Sequence, residues 1–309
     1  MSKIAVIGSN MVDLITYIDR MPAQGETLEA PGFALGCGGK GANQAVAAAK
    51  LGAEVVMLSK VGDDMFADNT LANFQRFGID TRYVQRVPGV SSGVAPIFVQ
   101  ADSHNSILIV KGANAHLLPA DIDAAAADLR ECTLIVLQLE INLETVYYAI
   151  EFAHRHGIAV LLNPAPALAG LSAEHLSQLD FLIPNESELA LITGLVVDSP
   201  DSARNAARTL VASGIRHVIV TLGELSSMAW AQMLRATRTF CSITLMVRRS
   251  TRVISPSSSS TLRAGSCTRR TSKWRRSCCR QPVSPKAITP KRPKARCARW
   301  RQGPVLRSV

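Results

Sequence analysis

The chain is 309 residues long and 47% hydrophobic, enough to bury the core of one large α/β domain or two small ones. No stretch approaches the roughly 18 consecutive apolar residues that a membrane-spanning helix needs, and the apolar run before Gly8 is too short for a secretion signal. Only Cys37 and Cys132 precede residue 225, far apart and without metal-ligand spacing, which fits a reducing compartment. We therefore expect a cytoplasmic protein without membrane partners.

The net charge of +10 conceals two parts of opposite sign. Residues 1–224 hold all 24 acidic residues beside 14 of the 34 basic ones, a formal charge of −10 (14 minus 24). Residues 225–309 hold the other 20 basic residues, no acidic residue, and a Pro-Ser-Ser-Ser-Ser run at 256–260. This composition is typical of a basic tail rather than of the same domain. We expect a folded domain in 1–224 and a non-native or disordered tail in 225–309.

Short β-branched runs alternate with helical patterns from the start of the chain. Residues 3–8 (KIAVIG) predict a strand, residues 41–51 (GANQAVAAAKL) a helix, and residues 54–62 (EVVMLSKVG) another strand. Two regions, about 14–36 and 83–113, interrupt this alternation with consecutive strand-like runs and turns. We expect them to form a small antiparallel sheet that stands off the main one.

The alternation resumes with a predicted strand at 134–140 (LIVLQLE). Further predicted elements are a helix at 143–156, strands at 157–164 and 180–184, helices from about Glu186 and Ser202, and a strand at 217–223. Strands that alternate with helices favour an α/β fold in which a mainly parallel sheet is covered by helices on both faces.

Polar side chains gather where the predicted strands end, together with one in the first turn of the first helix. These residues are Asp13, Asn43, Glu140, Asn185, Thr221 and Gly223. Ligands of open parallel sheets bind beyond the carboxyl ends of the strands, so we expect one shared site. Carboxylates and amides suit a sugar, whose hydroxyls both donate and accept hydrogen bonds. Each residue alone fits a cap, a turn or a solvated strand end; their common placement favours a binding site.

The glycine run at 36–41 (GCGGKG) satisfies G-x-G-x-x-G, the fingerprint of dinucleotide-binding folds. The run does not follow the first core strand, as that fingerprint requires. Gly41 also stands where a P-loop carries the Ser or Thr that binds magnesium. The glycines favour close approach of the backbone to a ligand. A dinucleotide-dependent oxidoreductase stays open as an alternative.

Four segments resemble, in order, the sequence blocks of the ribokinase family of carbohydrate kinases (PfkB type). They are GCGGKGANQAVAAAKLGAEVVMLSKVGDD (36–64), NPAPA (163–167), PNESE (184–188) and VTLGE (220–224). The resemblance implies a Rossmann-like sheet with a β-sheet lid. It also implies transfer of a phosphoryl group from ATP to a sugar hydroxyl, with Mg²⁺ as cofactor.

The resemblance also implies roles for individual residues. Positions that match the sugar site are Met11, Asp13, Gly39, Lys40, Asn43 and Glu140, and positions that match the nucleotide site are Asn185, Thr221 and Gly223. Glu188 matches an Asn-x-x-Glu element that holds magnesium through water, although alone it reads as an exposed acid in the first turn of a helix. The family further implies a monovalent cation such as K⁺ and a homodimer formed through the lid.

Within the family the pentose kinases fit best, and one position bears on which pentose. Ribokinases typically carry Asn two residues before the sugar-binding Asp, whereas this chain carries Met11 before Asp13. A thioether cannot replace an amide that bonds a sugar hydroxyl, and residues 8–17 (GSNMVDLITY) resemble deoxyribokinases. Our hypothesis is phosphorylation of the 5-hydroxyl with a preference for 2-deoxyribose over ribose.

The family's second signature, Asp-Thr-x-Gly-Ala-Gly-Asp, is missing. That motif supplies an anion hole and the Asp that takes the proton from the attacking hydroxyl, but after Glu224 the chain has only Gly265 and Gly303 and no acidic residue. We hypothesise that a frameshift near codon 225 replaced the native C-terminal third and impaired the enzyme. A rival hypothesis is a non-catalytic kinase-like module whose basic tail binds nucleic acid; otherwise we expect no nucleic-acid partner.

Overall fold

The computed structural model describes residues 2–102, 104–222 and, for the backbone, 226–231. Gly223 and most of the predicted tail therefore lie outside the described residues. The strands are β1 (Lys3–Ile7), β2 (Met11–Ile18), β3 (Gly32–Gly38), β4 (Glu54–Val61), β5 (Asp80–Arg86), β6 (Val94–Gln100), β7 (Asn105–Ile107), β8 (Leu134–Leu137), β9 (Ala159–Leu162), β10 (Phe181–Leu182), β11 (His217–Leu222) and β12 (Ser226–Ala231).

Helices follow most strands of the main sheet. They are α1 (Lys40–Lys50), α2 (Met65–Arg76), α3 (Pro119–Ala124), α4 (Ala126–Leu129), α5 (Leu143–His156), α6 (Ala173–Ser177), α7 (Glu186–Thr193) and α8 (Pro200–Ala212), with a 3₁₀ turn at Gly112–His116. Within the described part of the chain, none of these helices has the length and apolar character needed to cross a membrane.

The main sheet has the strand order β12-β11-β10-β9-β8-β1-β4-β5, and β12 is its antiparallel member. Strand β1 lies inside the sheet because both of its faces are apolar. Ala5 and Ile7 pack in the core on one face, and Ile4 and Val6 pack in the core on the other. A parallel strand covered on both faces reads as a continuous apolar run. The predicted α/β fold with a mainly parallel sheet flanked by helices is confirmed.

The smaller sheet has the order β3-β2-β6-β7 and is mixed, not antiparallel as predicted. Strands β2 and β6 run parallel because both leave the main sheet from one point, where the Val12 amide donates to the Gly93 carbonyl at 2.9 Å. Residues 83–86 were expected in this lid, but they belong to β5, which pairs with β4 in the main sheet. The crossover through α2 explains this, because such a unit returns the chain parallel to its starting strand.

A buried network fixes the junction between the lid and the main sheet. The Asn10 amide donates to Asn114 Oδ1 at 3.0 Å, and Asn114 Nδ2 donates to the Asn10 carbonyl at 2.7 Å. Asp64 accepts from both the amide and the hydroxyl of Ser92 at 2.7 Å. Asn10, Ser92 and Asn114 are all buried. The two chain segments that lead into the lid, at Asn10 and at Ser92, are therefore both held by buried hydrogen bonds.

Replacing Asp64→Ala should lower the free energy of unfolding by about 2–3 kcal/mol, because it removes the cap of α2 and leaves Ser92 without its acceptor. Burial opposes ionisation of Asp64, but hydrogen bonds from Ser92, Ala67 and Phe66 outweigh it and hold its pKa below the ordinary 3.8. This stabilisation is therefore full above pH 3.8 and disappears as the pH falls through the lower pKa of the folded state. Urea denaturation at pH values above and below 3.8 measures the difference in free energy of unfolding between the variant and the unaltered protein. Asp68→Ala, whose side chain is 75% exposed, is the control; equal losses in both variants would contradict the prediction.

Candidate active site

Glu140 lies where the chain leaves β8, beside the loop that follows β1. The strand ends at Leu137, three residues earlier than predicted, and Glu140 is only 5% exposed. Its Oε2 atom accepts from Ser9 Oγ at 2.5 Å and from the Lys40 amide at 2.8 Å. Strands β1 and β8 are neighbours, so their following loops meet at one edge of the sheet. The carboxylate also lies at the positive end of α1, which stabilises its charge.

The backbone amides at the start of α1 are already bound within the protein. Lys40 donates to Glu140, Gly41 to Ser9 Oγ at 3.3 Å, Ala42 to the Ser9 carbonyl at 2.8 Å, and Asn43 to the Gly39 carbonyl at 2.9 Å. A P-loop or a dinucleotide fold needs such amides free for phosphate. The amides at the start of α1 are therefore not available to bind a phosphate.

The glycine run allows this close packing. Gly39 has φ +91°, and a Cβ there would lie 2.7 Å from the Met11 amide nitrogen. A Cβ on Gly41 would lie 2.6 Å from the Ser9 carbonyl oxygen. Both distances are too short for any side chain, so glycine is required at both positions for α1 to pack against the loop after β1.

Asp13 faces the same edge from strand β2. A Cβ on Gly38 of the neighbouring strand would overlap the Asp13 carboxylate, so the glycine makes room for it. Asp13 forms no side-chain hydrogen bond or salt bridge with the described residues. Burial, and secondarily the charge of Glu140, raise the pKa of Asp13 above its ordinary value of 3.8. Two carboxylates thus lie near each other, and one of them is a free hydrogen-bond acceptor.

Met11 lies two residues before Asp13 and Asn43 three residues after Lys40, and the two side chains have different surroundings. Met11 is the first residue of β2, opposite Gly38, and is 2% exposed. Asn43 is exposed and lines a groove between α1 and α2. The structure thus brings Asp13, Gly39, Lys40 and Glu140 together, buries Met11 beside Gly39, and leaves Asn43 exposed.

The expected nucleotide side is formed by the start of α7 and the end of β11. Asn185 Oδ1 accepts from the Glu188 amide at 2.8 Å, and Glu188 Oε2 accepts from the Asn185 amide at 2.9 Å, a reciprocal cap of α7. The Thr221 amide donates to the Pro184 carbonyl at 2.9 Å, which ties β11 to this cap. Asn185 and Thr221 also form a parallel bridge. Gly223, the third predicted nucleotide residue, lies beyond the described range.

Glu188 is buried to the same degree as Glu140. It is therefore not the exposed acid that its place in the first turn of a helix would predict by itself. Burial raises the pKa of Glu188 above its ordinary value. The hydrogen bond that Glu188 accepts from the Asn185 amide and the positive charge of Lys40 oppose this rise only in part. Lys40 therefore connects the two sides, since its amide binds Glu140 and its ammonium acts on Glu188.

A magnesium ion fits this corner only in part. Among the described residues, no group of three or more His, Cys, Asp and Glu side chains could hold a metal ion. One carboxylate is nevertheless what Mg²⁺ commonly takes from a protein, because it keeps most of its water and binds substrate phosphates. Glu188 has one carboxylate oxygen outside its cap bond and meets that requirement.

Sequence reasoning missed Ser9, which binds both Glu140 and the start of α1. The available signal was a hydroxyl residue directly after the glycine that ends the first strand. It also missed Gln138, which is fully buried and donates to Gln44 Oε1 at 2.6 Å. This bond joins α1 to the loop that carries Glu140, and nothing in the sequence pairs two glutamines 94 positions apart.

Comparison with known proteins decides the family. A model described as pfkB family carbohydrate kinase matches residues 1–233. The chain belongs to this family. Members of this family are phosphotransferases that use ATP, and the dinucleotide-dependent oxidoreductase considered from the glycine run is wrong.

Relatives place the kinase more closely. It is 65% identical over 221 residues to the deoxyribokinase of Salmonella typhi, covering 72% of each chain. It is 41% identical over 234 residues to the ribokinase of Schizosaccharomyces pombe, covering 72% of this chain and 73% of the relative. Among solved structures, the ribokinase of Giardia lamblia superposes with a TM-score of 0.68 at 31% identity, covering 75% of this chain and 73% of that one. The ribokinase of Arabidopsis thaliana complexed with ribose and ATP gives 0.68 at 29% identity, covering 75% and 76%.

Proposed function

We propose that this kinase phosphorylates the 5-hydroxyl of a pentose, 2-deoxyribose or ribose. The observation that carries the proposal is the Asp13–Glu140 pair, two acceptors at one sheet edge of which neither forms a salt bridge with a described residue. Such a pair suits the hydroxyls of a small sugar. The 65% identity to a protein named deoxyribokinase supports the same substrate class.

In this proposal Asp13 and Glu140 accept hydrogen bonds from sugar hydroxyls and hold the 5-hydroxyl toward the nucleotide. Asn185, Thr221 and Gly223 bind the nucleotide at the adjoining edge. Magnesium, held through water by Glu188, would offset the phosphate charge when bound. A dependence on a monovalent cation such as K⁺ belongs to the same proposal and rests on family membership.

The group that should take the proton from the 5-hydroxyl is absent, because residues 225–309 contain no acidic residue. We propose a frameshift near codon 225 that leaves a kinase domain in 1–224 with impaired activity. The match to the family model stops at residue 233, close to the compositional change, which supports this position. Translating the gene in the other two frames tests it, and absence of the Gly-Ala-Gly-Asp motif from both would refute it.

The proposed reaction is tested by incubating substrate amounts of the protein with ATP and 2-deoxyribose. Phosphorus NMR should show a phosphomonoester coupled to the two protons on carbon 5. Ribose serves as the second substrate and a hexose as the negative control. Phosphorylation of the hexose in preference to both pentoses, or of a different hydroxyl, would refute the assignment.

Replacing Met11→Asn should shift the preference toward ribose. A buried amide at this position gains from a hydrogen bond to the 2-hydroxyl that 2-deoxyribose lacks, about tenfold in relative affinity. Calorimetric titration with both sugars measures the ratio of dissociation constants. Met11→Leu keeps the apolar volume and is the matched control. A ratio that moves equally in both variants, or a clear ribose preference in the unaltered protein, would contradict the role of Met11.

We also propose a homodimer formed through the lid, acting in the cytoplasm. Large apolar side chains on the lid strands are 46–61% exposed: Tyr17, Phe33, Leu35 and Ile107. Exposed apolar clusters of this kind often mark protein interfaces. Both cysteines that the structure describes are free thiols, in keeping with a reducing compartment. Sedimentation of the protein and of a Phe33→Ser variant would test the dimer.

A further inference from the structure

A groove of about 590 Å³ lies between α1 and α2, next to the lid strand β3. Its polar lining consists of Cys37, Asn43, Lys50, Asn69, Asn73 and Arg76. No carboxylate is among the residues that line it. The groove shares Asn43 with the predicted sugar residues but includes neither Asp13 nor Glu140, so it is distinct from the acidic sugar pocket.

Two cations that line this groove contact the same aromatic ring, that of Phe77. Lys50 Nζ lies 4.8 Å and Arg76 Cζ 4.9 Å from the centre of the Phe77 ring. Neither forms a salt bridge with the carboxylates of the described residues. Two positive charges beside one ring repel each other, and an anion bound in the groove would lower that repulsion.

The positions of the cations in their helices do not account for this arrangement. Lys50 and Arg76 belong to the last turns of α1 and α2, where a positive charge favours the helix dipole. The C-terminal end of each helix carries only about half a negative charge. The two full positive charges of the side chains therefore leave a net positive charge. The dipole explains a cation on each helix but not the meeting of both at one ring.

Hydrogen-bonding side chains line the same groove. Arg76 Nη2 donates to Asn73 Oδ1 at 2.7 Å, which orients the guanidinium and leaves its other N–H groups uncommitted in the described structure. Asn69 Nδ2 donates to Cys37 Sγ at 3.3 Å. Burial raises the pKa of Cys37 and Arg76 opposes this, so the thiol lies within electrostatic reach of the guanidinium.

We propose that this groove binds a small phosphate-bearing anion, held by Lys50 and Arg76 with help from the amides of Asn69 and Asn73. The phosphate group matches the donors of a guanidinium and an ammonium placed together. The site goes beyond the proposed kinase reaction, because inorganic phosphate can occupy it whether or not sugar is turned over. Strand β3 pairs with β2, which carries Asp13, so an anion bound here would brace the lid beside the sugar pocket.

Protection of Cys37 from alkylation tests the site directly. The full-length protein is treated with iodoacetamide, with and without millimolar inorganic phosphate or 2-deoxyribose 5-phosphate, and each cysteine is quantified by peptide mass spectrometry. We expect phosphate to slow alkylation of Cys37 at least about threefold and to leave the other cysteines unchanged. A stronger effect of the sugar phosphate would identify the organic ester as the ligand, and equal effects would identify phosphate itself.

A double variant, Lys50→Gln with Arg76→Gln, should abolish this protection and raise the phosphate dissociation constant about tenfold or more. The matched control is Arg155→Gln, because Arg155 lies over Tyr148 at 5.7 Å on a different helix. Circular dichroism confirms that each variant is folded. Failure of both compounds to protect Cys37 in the unaltered protein, or equal protection in the double variant, would overturn the proposal. Neither result would bear on the kinase reaction, which is followed separately by NMR.

Discussion

Restoring the reading frame after Glu224 should raise the turnover of 2-deoxyribose by at least about 10², and by up to about 10⁴ if the general base is the main loss. The reason is chemical: in the proposed site Asp13 and Glu140 bind sugar hydroxyls, and residues 225–309 supply no acidic residue to take the proton of the 5-hydroxyl. The present chain would still bind sugar through Asp13 and Glu140. We therefore expect the change mostly in kcat and little in the sugar dissociation constant.

A coupled assay of ADP release measures the gain, with both proteins compared at equal concentrations of folded material. The control is the restored protein with the Asp of its Gly-Ala-Gly-Asp motif replaced by Asn, which should return to the low rate. Equal turnover by the unaltered and restored proteins would mean that another residue serves as base and that the frameshift proposal is wrong.

Replacing Asp13→Asn should weaken 2-deoxyribose binding about 10²-fold, because the carboxylate accepts charge-assisted hydrogen bonds from sugar hydroxyls. The sugar-free protein should become more stable at pH 7. Asp13 has no partner there, and burial together with Glu140 raises its pKa. Since a raised carboxyl pKa favours the protonated folded state, the stability difference should narrow as the pH falls toward 3.8.

Calorimetry gives the sugar affinity of this variant, and urea denaturation with and without sugar gives its stability. Asp19→Asn is the matched control, because Asp19 is an exposed acid just past the end of the same strand. Unchanged sugar affinity in Asp13→Asn would contradict the proposed sugar site. Lower stability without sugar would show that Asp13 supports the fold instead.

The main sheet could be predicted because its strands are apolar on both faces. Each of β1, β4 and β8 contains four apolar residues in a row, at 4–7, 55–58 and 134–137. The lid was harder to predict, because β2 and β6 are only partly buried and their pairing depends on where they leave the main sheet. The prediction assigned β5 in part to the lid. Its sequence, DTRYVQR, is equally compatible with an edge strand of the main sheet and with a strand of the lid.

The candidate site was predictable as a set of strand ends, not as a set of contacts. Placing Glu140 and Asn185 at one edge follows from the parallel topology of the main sheet. Asp13 was expected at the end of the first strand, but it reaches this edge from β2, a strand of the lid. The role of Ser9 does not, since a serine hydroxyl bonds wherever the fold puts an acceptor. The reciprocal cap of Asn185 and Glu188 is visible as a spacing of three residues, whereas the burial of Glu188 depends on packing between distant segments.

The position of β1 has a consequence for how this gene tolerates damage. The strand comes first in the chain yet lies inside the sheet, and successive strands from β8 to β11 extend the sheet outward in the order of synthesis. A frameshift late in the gene therefore alters the outer part of the sheet and leaves the sequence of its inner strands unchanged. Under the proposed frameshift, β1 and its neighbours β4 and β8 keep their native sequence, and the altered residues begin beyond β11 near one edge of the sheet.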